Sequence, residues 1–249
     1  MGNYFITPYL LALLVSVSIA NASRIFRSCN DTPSSVSGVY DIRPINATQS
    51  FEVYCEQGFG GRWLVVQNRS DGQENFNRSW VDYKSGFGVI GNEFWLGLDK
   101  LHQITTADEY ELQVWMGDFK DFEAYQKYKL FAVANEADNY RLELDGWRDG
   151  TAGESHYVYR DQQFSTFDRD NDKSMMNCAV EMGSGYWHFD CGTGINRHNL
   201  NGIYSDEVLR CGSGFWWGGF GAEANPLKWS KMMIRDTRRV LMRKNSKRD

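Results

Sequence analysis

Five cysteines, at positions 29, 55, 178, 191 and 211, constrain this chain more than any other feature. None forms a C-x-x-C pair, so neither a zinc ribbon nor a thioredoxin-like site is expected. In an oxidising compartment the spacing suggests two loop-closing disulfides with one cysteine over. The compartment is read from the N-terminus. Residues 10–20, LLALLVSVSIA, form an apolar run too short to span a bilayer, and Ala20-Asn21-Ala22 follows as an Ala-x-Ala cleavage site. We expect a signal peptide over residues 1–22, although MGNYFITPY brings no Lys or Arg to it. No later stretch is apolar enough to span a membrane, so the expected protein is secreted and extracellular. Four Asn-x-Ser/Thr sequons, at Asn30, Asn46, Asn68 and Asn77, agree with glycosylation in that compartment.

The 249 residues are 42% hydrophobic and 15% aromatic, enough apolar material for one or two cores. Few prolines and no low-complexity tract argue against disorder. SGVYDIRP and QSFEVYCE alternate apolar and polar residues and read as strands. A Cys29–Cys55 bridge around them would close a loop of about 26 residues, worth roughly 3 kcal/mol in the chain-entropy description. GFGG is a turn and RWLVVQNRS a core strand. Residues 93–101 are expected to include a short helix. Residues 110–116 and 140–144 read as antiparallel strands of the main sheet. After about residue 160 glycine becomes dense, aromatics cluster and periodicity fades, which marks a loop-built region of the kind that carries binding sites. KWSKMMIR then returns to strand-like alternation.

Within that region FSTFDRDNDKSMMNCA sets Asp168, Asp170 and Asp172 on alternate positions, six residues before Cys178. Three readings compete: a helix N-terminus whose dipole attracts carboxylates, a solvated acidic turn, and a calcium loop using carboxylates and backbone carbonyls. An EF-hand does not fit. Counting Asp168 as position 1, position 6 is Lys173 rather than Gly and position 12 is Ala179 rather than Glu.

The ordered segments FSTFDRDND, NCA, GYWHFDC, NLNGIY and KWSKMMIR resemble the fibrinogen C-terminal-like domain of fibrinogen chains, ficolins, tachylectins, tenascins and angiopoietins. So do SGVYDIRP, FEVYCE, GGRWLVVQNRSDG, FNRSWVDYKSGFG and EFWLGLDKLHQIT upstream of them. The likeness runs from about residue 28 to 236. It implies one domain over residues 23–236 followed by a basic tail over 237–249. The implied fold is α+β: a small N-terminal subdomain, a central antiparallel sheet with short helices, and a loop-rich C-terminal subdomain with a calcium site. The resemblance also implies disulfides Cys29–Cys55 and Cys178–Cys191. It implies Ca2+ as the cofactor, held by the side chains of Asp170 and Asp172 and the carbonyls of Ser174 and Met176, with Asp168 beside them.

In this family a pocket beside the calcium loop takes acetylated sugars or peptide N-termini. It often involves a cis peptide, here Asp190-Cys191. The resemblance places its aromatic wall at Tyr186, Trp187, Tyr204, Phe215 and Trp216, with core packing as the competing reading, favoured for Trp187. The sequence departs from the acetyl-binding pattern at Gly192, where a histidine is usual, at Met182 and at Asn225-Pro226. His198 is the candidate to replace that histidine.

The four histidines form no H-E-x-x-H, and there is no G-x-S-x-G, dinucleotide fingerprint or P-loop, so the sequence does not read as an enzyme. Residues 235–249 hold seven basic and two acidic side chains, against a net charge of −5 for the whole protein. This is either a solvated terminus or a patch for polyanions; nucleic acid is not an expected partner. Cys211 is either a buried thiol or the link of a homo-oligomer. Two functions follow. One is a calcium-dependent, lectin-like recognition protein for carbohydrate or acetylated ligands in innate immunity. The other is a signalling or adhesion ligand that binds a cell-surface receptor through the same loop face.

Overall fold

The computed structural model describes residues 24–33, 35–45, 47–153, 157–191, 197–220 and 225–237. The expected signal peptide 1–22, Asn46, Gly192, the tail 238–249 and the side chain of Cys211 lie outside the described residues. Alternation pairs β1 (Gly38–Ile42) with β2 (Phe51–Glu56) as an antiparallel ribbon. Cys55 in β2 is buried and bonded to Cys29, their Cα atoms 5.5 Å apart. β3 (Trp63–Arg69) is buried at six of its seven positions, the apolar run Trp63–Val66 and the polar Gln67 and Arg69. The ribbon joins β3 directly, so the expected small N-terminal subdomain is the edge of the main sheet.

Helix α1 (Trp80–Ser85) starts in a capping box. The Ser79 side chain accepts from the Asp82 N–H, and the Asp82 carboxylate accepts from Ser79. The short strands β4 (Phe87–Gly88) and β5 (Phe94–Trp95) follow, then helix α2 (Leu98–Ala107). The short helix expected within residues 93–101 starts at Leu98 and runs on to Ala107. Gly97 has φ 111°, and a Cβ there would lie 2.6 Å from the Ser85 carbonyl oxygen, so the backbone turns at Gly97 before the helix starts. β6 (Tyr110–Asp118), β7 (Glu123–Val133) and β8 (Leu142–Gly150) form a meander. The expected strand over 140–144 starts two residues late. Asn139 and Tyr140 both sit at positive φ, 46° and 50°, and only the residues after them are extended. Helix α3 (Cys178–Glu181) and the two-residue strands β9 (His198–Asn199) and β10 (Trp216–Trp217) punctuate the loop-built region, and β11 (Leu227–Asp236) closes the fold.

β11 does not add to an edge. The main sheet runs β1-β2-β3-β11-β6-β7-β8, with β4 and β5 attached beside β3, and every pairing is antiparallel. Ile234 lies opposite Leu64 on one side and Leu112 on the other, and all three are buried. Trp95, Phe131, Tyr140, Phe164 and Trp187 fill the core beside the sheet. No described helix is long and apolar enough to cross a membrane.

Truncating Ile234 empties the strand that joins both halves of the sheet. Ile234→Ala is expected to cost about 2–5 kcal/mol in urea unfolding. Lys228→Ala, exposed on the same strand, should stay within about 0.5 kcal/mol of wild type.

Candidate functional site

The acidic stretch forms an irregular loop fastened at both ends. The Asn171 N–H donates to Ser165 Oγ at 2.9 Å, and its side-chain amide donates to the Phe164 carbonyl at 2.7 Å. Asn177 caps α3, accepting from the Ala179 and Val180 N–H groups, and its own amide donates back to the Thr166 carbonyl. These two asparagines were not among the sequence candidates; an Asn directly before an apolar Cys-Ala-Val run is the cap signal that marks Asn177.

The three carboxylates separate here. Asp168 turns toward α1: one carboxylate oxygen accepts from the Trp80 N–H at 2.9 Å and from Thr166 Oγ1 at 2.7 Å. It latches the loop to the first turn of α1 instead of facing the other two. Asp170 and Asp172 stay together, with the Asp172 N–H donating to an Asp170 carboxylate oxygen at 3.2 Å. The two Asp172 oxygens accept from the N–H groups of Ser174 and Cys178, each at 2.8 Å. Burial raises the Asp172 carboxyl above the usual carboxylate range; these two N–H bonds oppose the rise, and the Asp170 charge adds to it. The available donors are carboxylates and the carbonyls of Ser174 and Met176. An all-oxygen set of this kind fits a hard cation such as Ca2+, not a thiophilic one. Among the described residues no group of three or more His, Cys, Asp or Glu could hold a metal, so any such ion would rest on this pair and the carbonyls.

Cys178 is bonded to Cys191, with Cα atoms 4.9 Å apart. Cys191 Sγ also lies 3.8 Å from the Met176 carbonyl oxygen. Asp190 is held by the Arg197 guanidinium, with Nη2 at 2.8 Å. The Asp190-Cys191 peptide is trans, correcting the expected cis bond; for a non-proline residue trans is favoured by about 3 kcal/mol.

The predicted aromatic wall lies inside the protein. Tyr186, Trp187, Phe215, Trp216 and His198 are all buried to 1% exposure or less. Each polar edge is engaged internally. Trp187 Nε1 donates to the Tyr140 carbonyl at 2.7 Å, and Trp216 Nε1 donates to the Gly212 carbonyl at 2.8 Å. His198 stacks on Trp217 at 4.5 Å, with its Nε2 3.0 Å from the Tyr186 hydroxyl. His198 therefore faces an aromatic stack and not solvent. Met182 is buried against Cys178 and Trp216. Tyr204 is half-buried and lines a cavity of about 200 Å³ with Arg69, Phe76 and Asn77; its hydroxyl donates to the Lys228 carbonyl at 2.9 Å. Asn225 is half-buried and its amide donates to Asp118 at 3.3 Å. Of the sequons, Asn77 is exposed and Asn30 is half-buried. Asn68 is in β3, its amide donating to the Asn92 carbonyl at 2.6 Å.

A buried polar hub holds these loops on the sheet. Gln67 of β3 donates to the Leu200 carbonyl at 2.8 Å and accepts from Ser230 of β11 at 3.0 Å. Arg69 donates to the Gly202 carbonyl at 2.9 Å, its guanidinium lying between the Phe76 and Phe215 rings. Asn201 donates to the Gly185 carbonyl, and Asn199 to the Met182 and Gly212 carbonyls. His188 lies beside the hub, fully buried, with Nε2 2.9 Å from the Ser184 carbonyl. Burial lowers its pKa from 6.5 to about 4, because the low-dielectric interior disfavours imidazolium; the Ser184 bond partly offsets this.

The profile of the family described as "Fibrinogen beta and gamma chains, C-terminal globular domain" matches residues 25–237. Angiopoietin-4 from Homo sapiens is 38% identical over 224 residues, which cover 87% of this chain and 44% of that protein. The protein spans about half the length of the curated relatives it matches. Among solved structures, the fibrinogen-like globe domain of human ANGPTL2 aligns with a TM-score of 0.79 at 34% identity, covering 85% of this chain and 99% of that one. Lamprey fibrin D-dimer, complexed with the peptide Gly-His-Arg-Pro-amide, aligns with a TM-score of 0.72 at 31% identity, covering 84% and 73%.

Two outcomes are expected. Asp168→Ala should cost about 1–2 kcal/mol by releasing α1 from the loop, read as a lower urea midpoint with the Asp170–Asp172 pair left intact. The second concerns pH. The His188 pKa is depressed on folding, so the unfolded protein binds more protons between pH 6.5 and 4. Its stability contribution is whole above pH 6.5 and is lost as pH falls through that window, by about 3 kcal/mol at most. Urea midpoints from pH 7 to pH 4 should fall more steeply in wild type than in His188→Gln.

Proposed function

This protein belongs to the family defined by the C-terminal globular domain of the fibrinogen beta and gamma chains, and from that premise we propose that it is a secreted recognition protein, lectin-like rather than enzymatic, which binds Ca2+ and takes carbohydrate or acetylated ligands on its C-terminal loops. The observation that carries the reading is the double fastening of Asp172 to the Ser174 and Cys178 N–H groups. It ties the Asp172 carboxylate to the backbone at Ser174 and at Cys178, beside the Cys178–Cys191 disulfide. In this reading Asp170 and Asp172 hold the ion with their carboxylates, and Ser174 and Met176 with their carbonyls. The ion neutralises the paired charges and stiffens the loop against Cys191. Ligand is then met by the loop surface around Asp190 and Tyr204, since the aromatic wall is internal. Asn30, Asn46, Asn68 and Asn77 are the proposed glycan acceptors, with Asn77 the most accessible of those described.

A second reading, a receptor-binding signalling or adhesion ligand, is favoured by one observation. Phe167, Met175, Met176 and Val180 are exposed on and beside the same loop. Exposed apolar side chains of that size suit a protein partner better than a sugar.

Added Ca2+ should raise the melting temperature of wild type, by the equivalent of about 2.7 kcal/mol at a hundredfold excess over Kd. Asp172→Ala should abolish the shift. Glycan-array binding that EDTA removes would establish the lectin reading. An intact calcium shift without glycan binding would transfer the function to a receptor, to be sought by pull-down from glycan-free cells. Absence of any calcium shift at millimolar concentration would refute the ion assignment.

A further inference from the structure

The central sheet has a second polar site, built from residues outside the acidic loop. On β6 the residues Leu112, Val114 and Met116 point to one face, so Glu111, Gln113 and Trp115 occupy the other. Register places Glu111 opposite Arg235, and Gln113 opposite Lys127 of β7. With Trp63, Asp149 and the Phe59-Gly60 turn, they line a cleft of about 430 Å³. That volume falls within the range of small-molecule sites.

Two features distinguish this cleft from an ordinary groove on a sheet. Gln113 is 1% exposed and Trp63 2% exposed, yet Gln113 Oε1 and Trp63 Nε1 have no hydrogen-bond partner. Buried polar atoms are almost always paired, and leaving one unpaired costs stability. Here a lone acceptor and a lone donor line the same cleft. The charges around them are balanced: Arg235 pairs with Glu111, Nε at 2.7 Å, and Lys127 with Asp149 at 3.6 Å. The Arg235 guanidinium also lies 4.3 Å over the Trp63 ring. It covers the indole face, and because both unpaired atoms are sealed from solvent, a ligand reaches them by displacing the side chains that cover them.

We propose that this cleft is a binding site for a neutral, polyhydroxylated small molecule, a saccharide unit, read by hydrogen bonds to Gln113 and Trp63 and not by ring stacking. A hydroxyl both donates and accepts, so adjacent hydroxyls answer the Gln113 oxygen and the Trp63 N–H together. Self-neutralised ion pairs give a net ionic ligand no advantage. Of the eight described lining residues, five carry charged or amide side chains and one is glycine, and Trp63 has its ring face covered by Arg235, which leaves Phe59 as the one other apolar side chain there. The site needs neither Ca2+ nor the Cys178–Cys191 loop, and it stands or falls independently of the function proposed above.

The test follows the indole N–H signals of protein carrying 15N-tryptophan during titration with glucose, galactose, mannose and N-acetylglucosamine, each with EDTA present. Trp63→Phe identifies the Trp63 signal. The expected result is a saturable shift of that signal with at least one sugar, retained in Asp172→Ala. Gln113→Leu should weaken it at least about tenfold, equal to 1.4 kcal/mol. Lys127→Met, a partly exposed change at the rim, should weaken it too and serves where Gln113→Leu does not fold. No saturable shift with any of the four sugars overturns the proposal. So does a shift indifferent to these variants, or one produced by sodium sulfate or glycylglycine in place of the sugars.

Discussion

The fold depends on the insertion of β11 between β3 and β6. Without that strand the sheet is two separate ribbons, β1-β2-β3 with its attachments and β6-β7-β8. The backbone N–H and C=O groups of β3 and β6 would then line two exposed edges. The bond from Ser230 to Gln67 joins residues 163 positions apart. The entropic cost of closing so long a loop grows only logarithmically with its length, but every contact of the joined sheet waits for it. The sequence of β11 suits this central place. Met232, Met233 and Ile234 are all fully buried, and unbranched, adaptable Met side chains fill space beside the bulge that shifts the β3 register between Met232 and Met233.

The loop-built region has little regular structure of its own, so its backbone polar groups need other partners. The sheet supplies them through a few buried side chains. Gln67 and Arg69 reach from β3 to the Leu200 and Gly202 carbonyls, while Asn199 and Asn201 extend the same network to residues 182, 185 and 212. Backbone approaches so closely there that a Cβ on Gly202 would lie 2.0 Å from the Gly214 carbonyl oxygen. NLNG thus joins amide side chains that satisfy carbonyls to a glycine that allows the approach. A loop region built this way has its position dictated by the sheet even where its own backbone follows no repeating pattern.

What was legible in the sequence was what repeats locally. Alternation located β1, β2, β6 and β11, and the cysteines of the first unit marked the bridge that β2 carries. β7 escaped as a separate element, although its burial alternates over most of Glu123–Val133, because no Gly or Pro marks its start or its end. The start of β8 was hidden because two successive left-handed residues, one of them a tyrosine, are a tertiary outcome that local preference argues against. The site was legible as composition and not as orientation. Three alternating aspartates look equivalent in sequence, but Thr166 and the Trp80 N–H claim Asp168 from outside the loop, and one of those partners is 88 residues away. The aromatic wall misled for a related reason. Tyr, Trp and His show the same letters whether they line a pocket or pack internally. Carbonyls such as those of Tyr140 and Gly212, invisible in a sequence, decided for packing.

These placements fix how an ion at the loop would act on recognition. The aromatics are buried, and Trp216 and Met182 pack against Cys178, which is bonded to Cys191 and donates its N–H to Asp172. One residue therefore connects the core, the acidic pair and the segment leading to Asp190. Neutralising Asp170 and Asp172 removes the repulsion that the half-buried Asp172 carboxylate otherwise bears. The same change would tighten the backbone around Cys178, and through the disulfide it would limit the freedom of Cys191 and Asp190. An ion held this way would control binding by reducing the conformational entropy left for a ligand to remove. That mechanism does not require the ligand to touch the ion, and it works equally for a sugar or a protein partner on the same loops. An ion acting in this way would set how ordered the loop face is, and the chemistry of the exposed surface would set which partner it takes.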